Sequence, residues 1–242
     1  KGHGDFVLSV DKAIDREVRG LIARQYPNDG ILSEESAALR GRSGRTWIVD
    51  PLDATTAYML KSDLCAPSFM IALAIDERVI LGLVYCPLVN TVFLARAGVG
   101  AYVSAEPIGP RRLEVNRQPV LQKAWVECNR YSDVRFESSW FRELSVKLRS
   151  PGGAPVVTSQ VPHSSVSCWM CLSKPDAVIH DNNSLNIKQN VWDLAAPSIF
   201  VEEAGGVVLN AVGDRLNPFH PEPAIFAASR ELGFELVSFA AR

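Results

Sequence analysis

Several common protein classes are excluded by what this sequence lacks. Its 242 residues contain five cysteines, an odd and low number that argues against a disulfide framework and for a reducing, cytoplasmic compartment. No apolar run reaches the roughly 18 residues of a membrane span. The longest, Ser68 to Pro87, is broken by Asp76, Glu77 and Arg78. The net charge is −2, with no basic stripe beyond Arg111-Arg112, so neither a nucleic acid polymer nor a membrane is the expected partner. The four histidines show no metal-ligand spacing, and no internal repeat stands out. Cys168 and Cys171 have no second pair nearby and read as neighbours on one helical turn rather than half of a zinc site. Lys1-Gly2-His3-Gly4-Asp5 is not followed by an apolar signal segment, and so abrupt a start leads us to expect that something upstream is missing.

What is there is a chain with 47% hydrophobic residues, enough for a substantial core. From Asp11, Ile14, Val18, Leu21 and Ile22 share one helical face; the helix ends near Pro27, with a turn at Asn28-Asp29-Gly30. Thr46 to Val49 reads as a strand, after which Pro51 requires a turn. Phe69, Ile71, Leu73 and Ile75 alternate as in a strand, and Val79 to Tyr85 and Thr91 to Arg96 are further strands, with Gly98-Val99-Gly100 as a turn. Trp140 to Leu148 and Ser165 to Leu172 read as helices and Ala177 to Ile179 as a strand. Asp193 to Ala204 reads as a helix with Asp at its cap and Gly205-Gly206 at its end. Val207 to Leu209 and Ala224 to Ala228 are strands, and Arg230 to Phe239 a last helix. This interleaving predicts an α/β or α+β sandwich of layers. We expect one catalytic unit over 1–242, with a soft subdomain boundary near Ser150.

Carboxylates gather at the ends of these elements, where α/β proteins assemble sites. Glu34-Glu35 follows Ile31-Leu32-Ser33, Asp50 and Asp53 bracket Pro51-Leu52, and Asp193 starts a helix. Hard cations such as Mg²⁺ are bound by such oxygen sets. Each group also has a plainer reading: a helix cap for Asp193, a solvated pair for Glu34-Glu35, a turn for Asp50-Pro51-Leu52-Asp53. A metal-dependent site is one option among several at this point.

Trp47-Ile48-Val49-Asp50-Pro51-Leu52-Asp53-Ala54-Thr55-Thr56 resembles the signature of the inositol monophosphatase superfamily, Asp-Pro-(Ile/Leu)-Asp-Gly-Thr. Trp192-Asp193-Leu194-Ala195-Ala196, followed by Glu203-Ala204-Gly205-Gly206, resembles its second signature. Ile31-Leu32-Ser33-Glu34-Glu35-Ser36 is similar to its Gly-Glu-Glu-Ser segment, and Asp5-Phe6-Val7 with Asp11 to its N-terminal Asp-Leu-Val-Thr segment and following Asp. The four segments stand in family order and span most of the chain. The resemblance implies alternating α/β/α/β/α layers, a further N-terminal helix, a homodimer, and a Mg²⁺-dependent, lithium-sensitive phosphatase of small phosphorylated metabolites.

Carried over residue by residue, the resemblance implies two or three Mg²⁺ ions. Glu34, Asp50 and the carbonyl of Leu52 would hold one, and Asp50, Asp53 and Asp193 another. Thr55, aided by Asp11, would orient or deprotonate the attacking water, with Glu35 beside the metal site. The N–H groups of Ala54 and Thr55 would bind phosphate. Ala54 stands where the family has Gly; we expect a helical conformation there, with only a methyl group added, whereas a positive φ would force the loop to shift. Leu8 stands near the usual Thr and loosens support for Asp11. Asn186 replaces the Glu of inositol-specific members, and with Lys188 it would line the substrate rim. Ser164-Ser165 resembles a Ser pair of bisphosphate nucleotidase members, with one residue missing downstream. The candidate substrates are inositol or sugar phosphates, histidinol phosphate and nucleoside bisphosphates. The rival reading is a non-catalytic sensor or scaffold for a phosphorylated ligand.

Overall fold

A computed structural model describes residues 8–60, 67–115, 120–129, 139–149, 154–159, 164–172, 175–181, 190–220 and 222–241. The chain opens with helix α1 (Ser9–Gln25) and strands β1 (Gly30–Ser33) and β2 (Arg45–Asp53), followed by the short helix α2 (Thr55–Leu60). Strands β3 (Ser68–Ile75), β4 (Arg78–Cys86), β5 (Thr91–Arg96), β6 (Gly100–Ala105) and β7 (Ile108–Leu113) complete a seven-stranded sheet in sequence order. Only β1 and β2 run parallel in it; the rest is an antiparallel meander. The second half supplies β8 (Val126–Asn129), α3 (Ser139–Leu148), β9 (Val156–Ser159), α4 (Val166–Trp169), β10 (Ala177–His180), α5 (Val191–Glu203), β11 (Val207–Asn210), β12 (Ala224–Ala227) and α6 (Arg230–Ala241). Its strands form a second sheet in the order β11-β12-β10-β8-β9.

Apolar patterning decides the layering. In β3, Met70, Ala72 and Ala74 are buried on one face, while Phe69 and Ile71 on the other join Ile22 and Val18 of α1. In β12, Phe226 belongs to the core between the sheets, and Ile225 and Ala227 to the core beneath α3 and α6. A strand buried on both faces has no polar alternation to display. The result is α1, first sheet, α5 with α4, second sheet, then α3 with α6: the expected α/β/α/β/α sandwich.

Helix α5 is the centre of this stack. Leu194 to Val201 are buried without a break, because sheets cover the helix on both sides. It seats on β4 at Gly82, where a Cβ would come within 2.6 Å of Ile199 Cγ2 and 2.9 Å of the Ala196 Cα. Phe93 of β5 meets Phe200 of α5 and Trp169 of α4 edge-on, at centroid distances of 5.3 and 5.0 Å. The helix ends at Gly205, whose φ of +94° suits a left-handed cap.

Several local expectations are corrected. Strand β2 does not end before Pro51 but runs through it to Asp53, and a register shift between Asp50 and Asp53 inserts one extra residue against β3. Proline, lacking an N–H, is tolerated at such a bulge. Helix α4 is a single turn rather than the span Ser165 to Leu172. Asp193 is not the cap of α5: the helix begins at Val191, Asn190 is the cap, and Asp193 lies in the first turn. Ala54 is not helical but has a φ of +63°, a left-handed conformation that crowds a Cβ against the backbone.

Two outcomes follow. Ala54→Gly should raise stability by a few tenths to about 1 kcal/mol, since the left-handed strain is relieved while the unfolded chain gains freedom. Gly82→Ala should lower it by about 1–3 kcal/mol through overpacking against α5. Urea titration of each variant checks both.

Candidate functional site

The site forms where three elements end side by side. Parallel pairing of β1 with β2 sets Ser33 opposite Val49, and the Glu34 N–H continues the ladder to the Val49 carbonyl at 3.2 Å. Glu34 therefore leaves β1 beside Asp50. The start of β1 is itself anchored. Buried Asp29 accepts bonds from Arg45 Nε at 3.0 Å, Ser43 Oγ at 2.7 Å and Trp47 Nε1 at 3.0 Å. Burial pushes its carboxyl up, but these donors outweigh it and hold the group below its ordinary value.

On an undisturbed strand Asp50 and Asp53, three apart, would face opposite sides of the sheet. The extra residue at the bulge turns both to one side. Asp50, Asp53 and Asp193 each offer an oxygen, and these oxygens lie within 4.8 Å of one another. Asp50 and Asp53 are buried.

Each carboxylate is held differently. Asp50 Oδ1 accepts the Leu52 N–H at 3.1 Å. Asp53 accepts the backbone N–H of Ser164 at 2.9 Å and of Ser165 at 3.1 Å, with the Ser68 hydroxyl at 3.2 Å. Asp193 reaches back to the Asn190 N–H at 2.6 Å and takes the Ser164 hydroxyl at 3.2 Å. Ser164 thus ties Asp53 to Asp193 across the sandwich.

The electrostatics of this arrangement are severe. Burial pushes the Asp50 carboxyl well above its ordinary range, and the charges of Glu34, Asp53 and Asp193 push it further. Burial does the same to Asp193, joined by the charges of Glu34 and Asp53, against the opposing Asn190 N–H. Buried oxygen donors of like charge, each oriented by hydrogen bonds, are what a hard divalent cation requires. The donor set fits Mg²⁺.

The other expected residues are placed as follows. Thr55 opens α2, and its hydroxyl donates to the Leu52 carbonyl at 3.0 Å. Ala54 is half-buried at the β2–α2 junction, and its carbonyl accepts the Tyr58 N–H at 3.1 Å. Asp11 is buried in the first turn of α1, and its Oδ2 accepts the Leu8 N–H at 2.6 Å. Leu8 thus supports Asp11 through its backbone. Glu35 is half-buried next to Glu34. Asn186 and Lys188 lie outside the described residues, as does Asp5.

The sequence reading missed the clamp made by Ser164, Ser165 and Ser68. A serine pair opening a helical turn is an ordinary cap signal. Nothing local shows that its N–H groups point to a carboxylate 111 residues away. It also missed Asp15, which is 3% exposed and bonded to the hydroxyls of Ser33 and Ser36.

Known proteins share this architecture. The extragenic suppressor protein suhB from Bartonella henselae superposes with a TM-score of 0.81 at 22% identity, over 100% of this chain and 87% of that one, a likeness of fold. The inositol monophosphatase of Dictyostelium discoideum is 29% identical over 222 residues, 89% of this chain and 75% of that protein. The histidinol-phosphatase of Mycobacterium tuberculosis is 32% identical over 200 residues, 83% and 72% respectively. The Nus factor SuhB of Pasteurella multocida is 28% identical over 221 residues, 88% and 74%. The model of the Inositol monophosphatase family matches residues 1–238, and the chain belongs to that family.

Proposed function

We propose that this protein is a Mg²⁺-dependent phosphomonoesterase acting on a small phosphorylated metabolite. The observation that carries this reading is the convergence of Asp50, Asp53 and Asp193, with oxygens within 4.8 Å, at a place where burial and neighbouring charges oppose ionisation of Asp50 and Asp193. Asp50, Asp53 and Asp193 would hold one ion, and Glu34, Asp50 and the Leu52 carbonyl another. When bound, Mg²⁺ neutralises phosphate charge and lowers the pKa of a water it holds.

The chain's own groups do the rest. Thr55, whose hydroxyl proton is given to Leu52, presents its oxygen as an acceptor for a water hydrogen. In the proposed transfer the Thr55 hydroxyl turns from Leu52 and passes its own proton to Asp11, buried on α1, as it takes one from the water. The N–H groups at Ala54 and Thr55 face the phosphate oxygens, and Glu35 lies beside the cation site. Asn186 and Lys188 are proposed contacts to the rest of the substrate. The names of relatives support histidinol phosphate and inositol phosphates as candidates. The reading carries with it a homodimer and a cytoplasmic location.

A second reading, a non-catalytic scaffold or sensor for a phosphorylated ligand, has two observations in its favour. Ala54 is strained where the proposed phosphate-binding N–H groups lie, and relatives from Pasteurella multocida, Haemophilus influenzae and Escherichia coli are named Nus factors.

Two measurements test the proposal. Phosphate release from inositol phosphates, histidinol phosphate, nucleoside bisphosphates and fructose 1,6-bisphosphate should require Mg²⁺ and fall at least about a hundredfold in Asp193→Asn. Cation binding without turnover of any ester would instead favour the scaffold. The second measurement concerns pH. The folded-state pKa of Asp50 lies above its unfolded value, so its contribution is full at low pH and is lost as pH rises through the raised value. In metal-free protein, the melting-temperature advantage of Asp50→Asn over the wild type should therefore grow as pH rises from about 4 to neutrality. Saturating Mg²⁺ should reverse it.

A further inference from the structure

Helix α1 buries two carboxylates one turn apart, Asp11 and Asp15. Like charges at this spacing destabilise a helix, and taking charge out of water adds to the cost. The helix already has an apolar anchor on the first sheet in Val18 and Ile22, so packing alone does not call for Asp15. Its bonding shows a more particular use. Oδ1 accepts the Ser33 hydroxyl and Oδ2 accepts the Ser36 hydroxyl. Between these serines lie only Glu34 and Glu35. One carboxylate therefore clasps both ends of the segment that carries Glu34 to the cation site.

That segment works against a force. Its upstream end is fixed by β1 and by the Glu34 N–H bond to Val49, and the chain returns to pair Leu39 with Ile31. Between these points Glu34 is held near Asp50, and their negative charges repel. A restraint from a different element opposes that drift. We propose that Asp15 is a positioning residue for the cation site, holding Glu34 in place through Ser33 and Ser36 and thereby setting the affinity of the site for its divalent cation. This inference rests on the cation-binding reading given above.

The test is calorimetric titration with Mg²⁺ and Mn²⁺ of the wild type, Asp15→Ala, the double variant Ser33→Ala/Ser36→Ala, and the triple variant. The melting temperature of each is measured in chelator. Asp15→Ala should bind the cation about tenfold to a hundredfold more weakly. The double variant should lose as much, and the triple no more than either, because all three remove one clasp. Asp15→Asn, which keeps one acceptor, should recover part of the affinity. Wild-type affinity in Asp15→Ala, whatever its melting temperature, overturns the proposal, as do losses that add in the triple variant. If Asp15→Ala fails to fold, Ser36→Ala alone decides: a partial loss of affinity supports the clasp and an unchanged affinity overturns it. A wild type that binds neither cation overturns the underlying reading, a separate result from an unaltered Asp15→Ala.

Discussion

Mutual repulsion among buried and half-buried carboxylates is the constraint around which this molecule is built. Glu34 just past β1, Asp50 and Asp53 of β2 and Asp193 of α5 meet here, and bringing them together is opposed by burial and by their own charges. A divalent cation bound among such groups would reverse the sign of the interaction. Much of the surrounding structure is restraint: backbone N–H groups on Asp53, a helix start around Asp193, serine hydroxyls shared between elements.

The layered fold supplies those restraints from both sides. Helix α5 is clasped between two sheets, so the position of Asp193 is set by packing at Gly82, Ala196 and Phe200 rather than by the solvated helix end alone. The turn of α4 bridges to the same place, its serines reaching Asp53 while Trp169 packs on Phe93. The outer helix α1 contributes buried acids to the site's surroundings while its apolar residues hold the first sheet. Doubly covered elements carry Asp50, Asp53 and Asp193, which limits how far like charges can move apart.

Much of this was legible locally. The alternation in β3, the apolar run in α5 and the Gly205-Gly206 stop identify their elements because periodicity and caps are short-range properties. The acidic residues were recognisable through the order of four short segments. Other features were not legible, and for specific reasons. A proline normally ends a strand, yet a bulge absorbs Pro51. Asp before a helical run reads as a cap, yet the helix starts two residues earlier at Val191. An alanine carries no mark of a left-handed φ, and Ala54 adopts one because the chain must turn from β2 into α2 there.

What the sequence by itself determined is the identity and order of the carboxylates, the strands and helices that carry them, and the family to which they belong. Those follow from side-chain chemistry and near-neighbour spacing. Only the tertiary structure decided that Asp50 and Asp53 face one side, that Ser164 joins Asp53 to Asp193, and that Asp15 holds the segment bearing Glu34. The reason is that a bulge's register and a hydrogen bond across the sandwich depend on how whole layers pack. No local window of residues contains both partners.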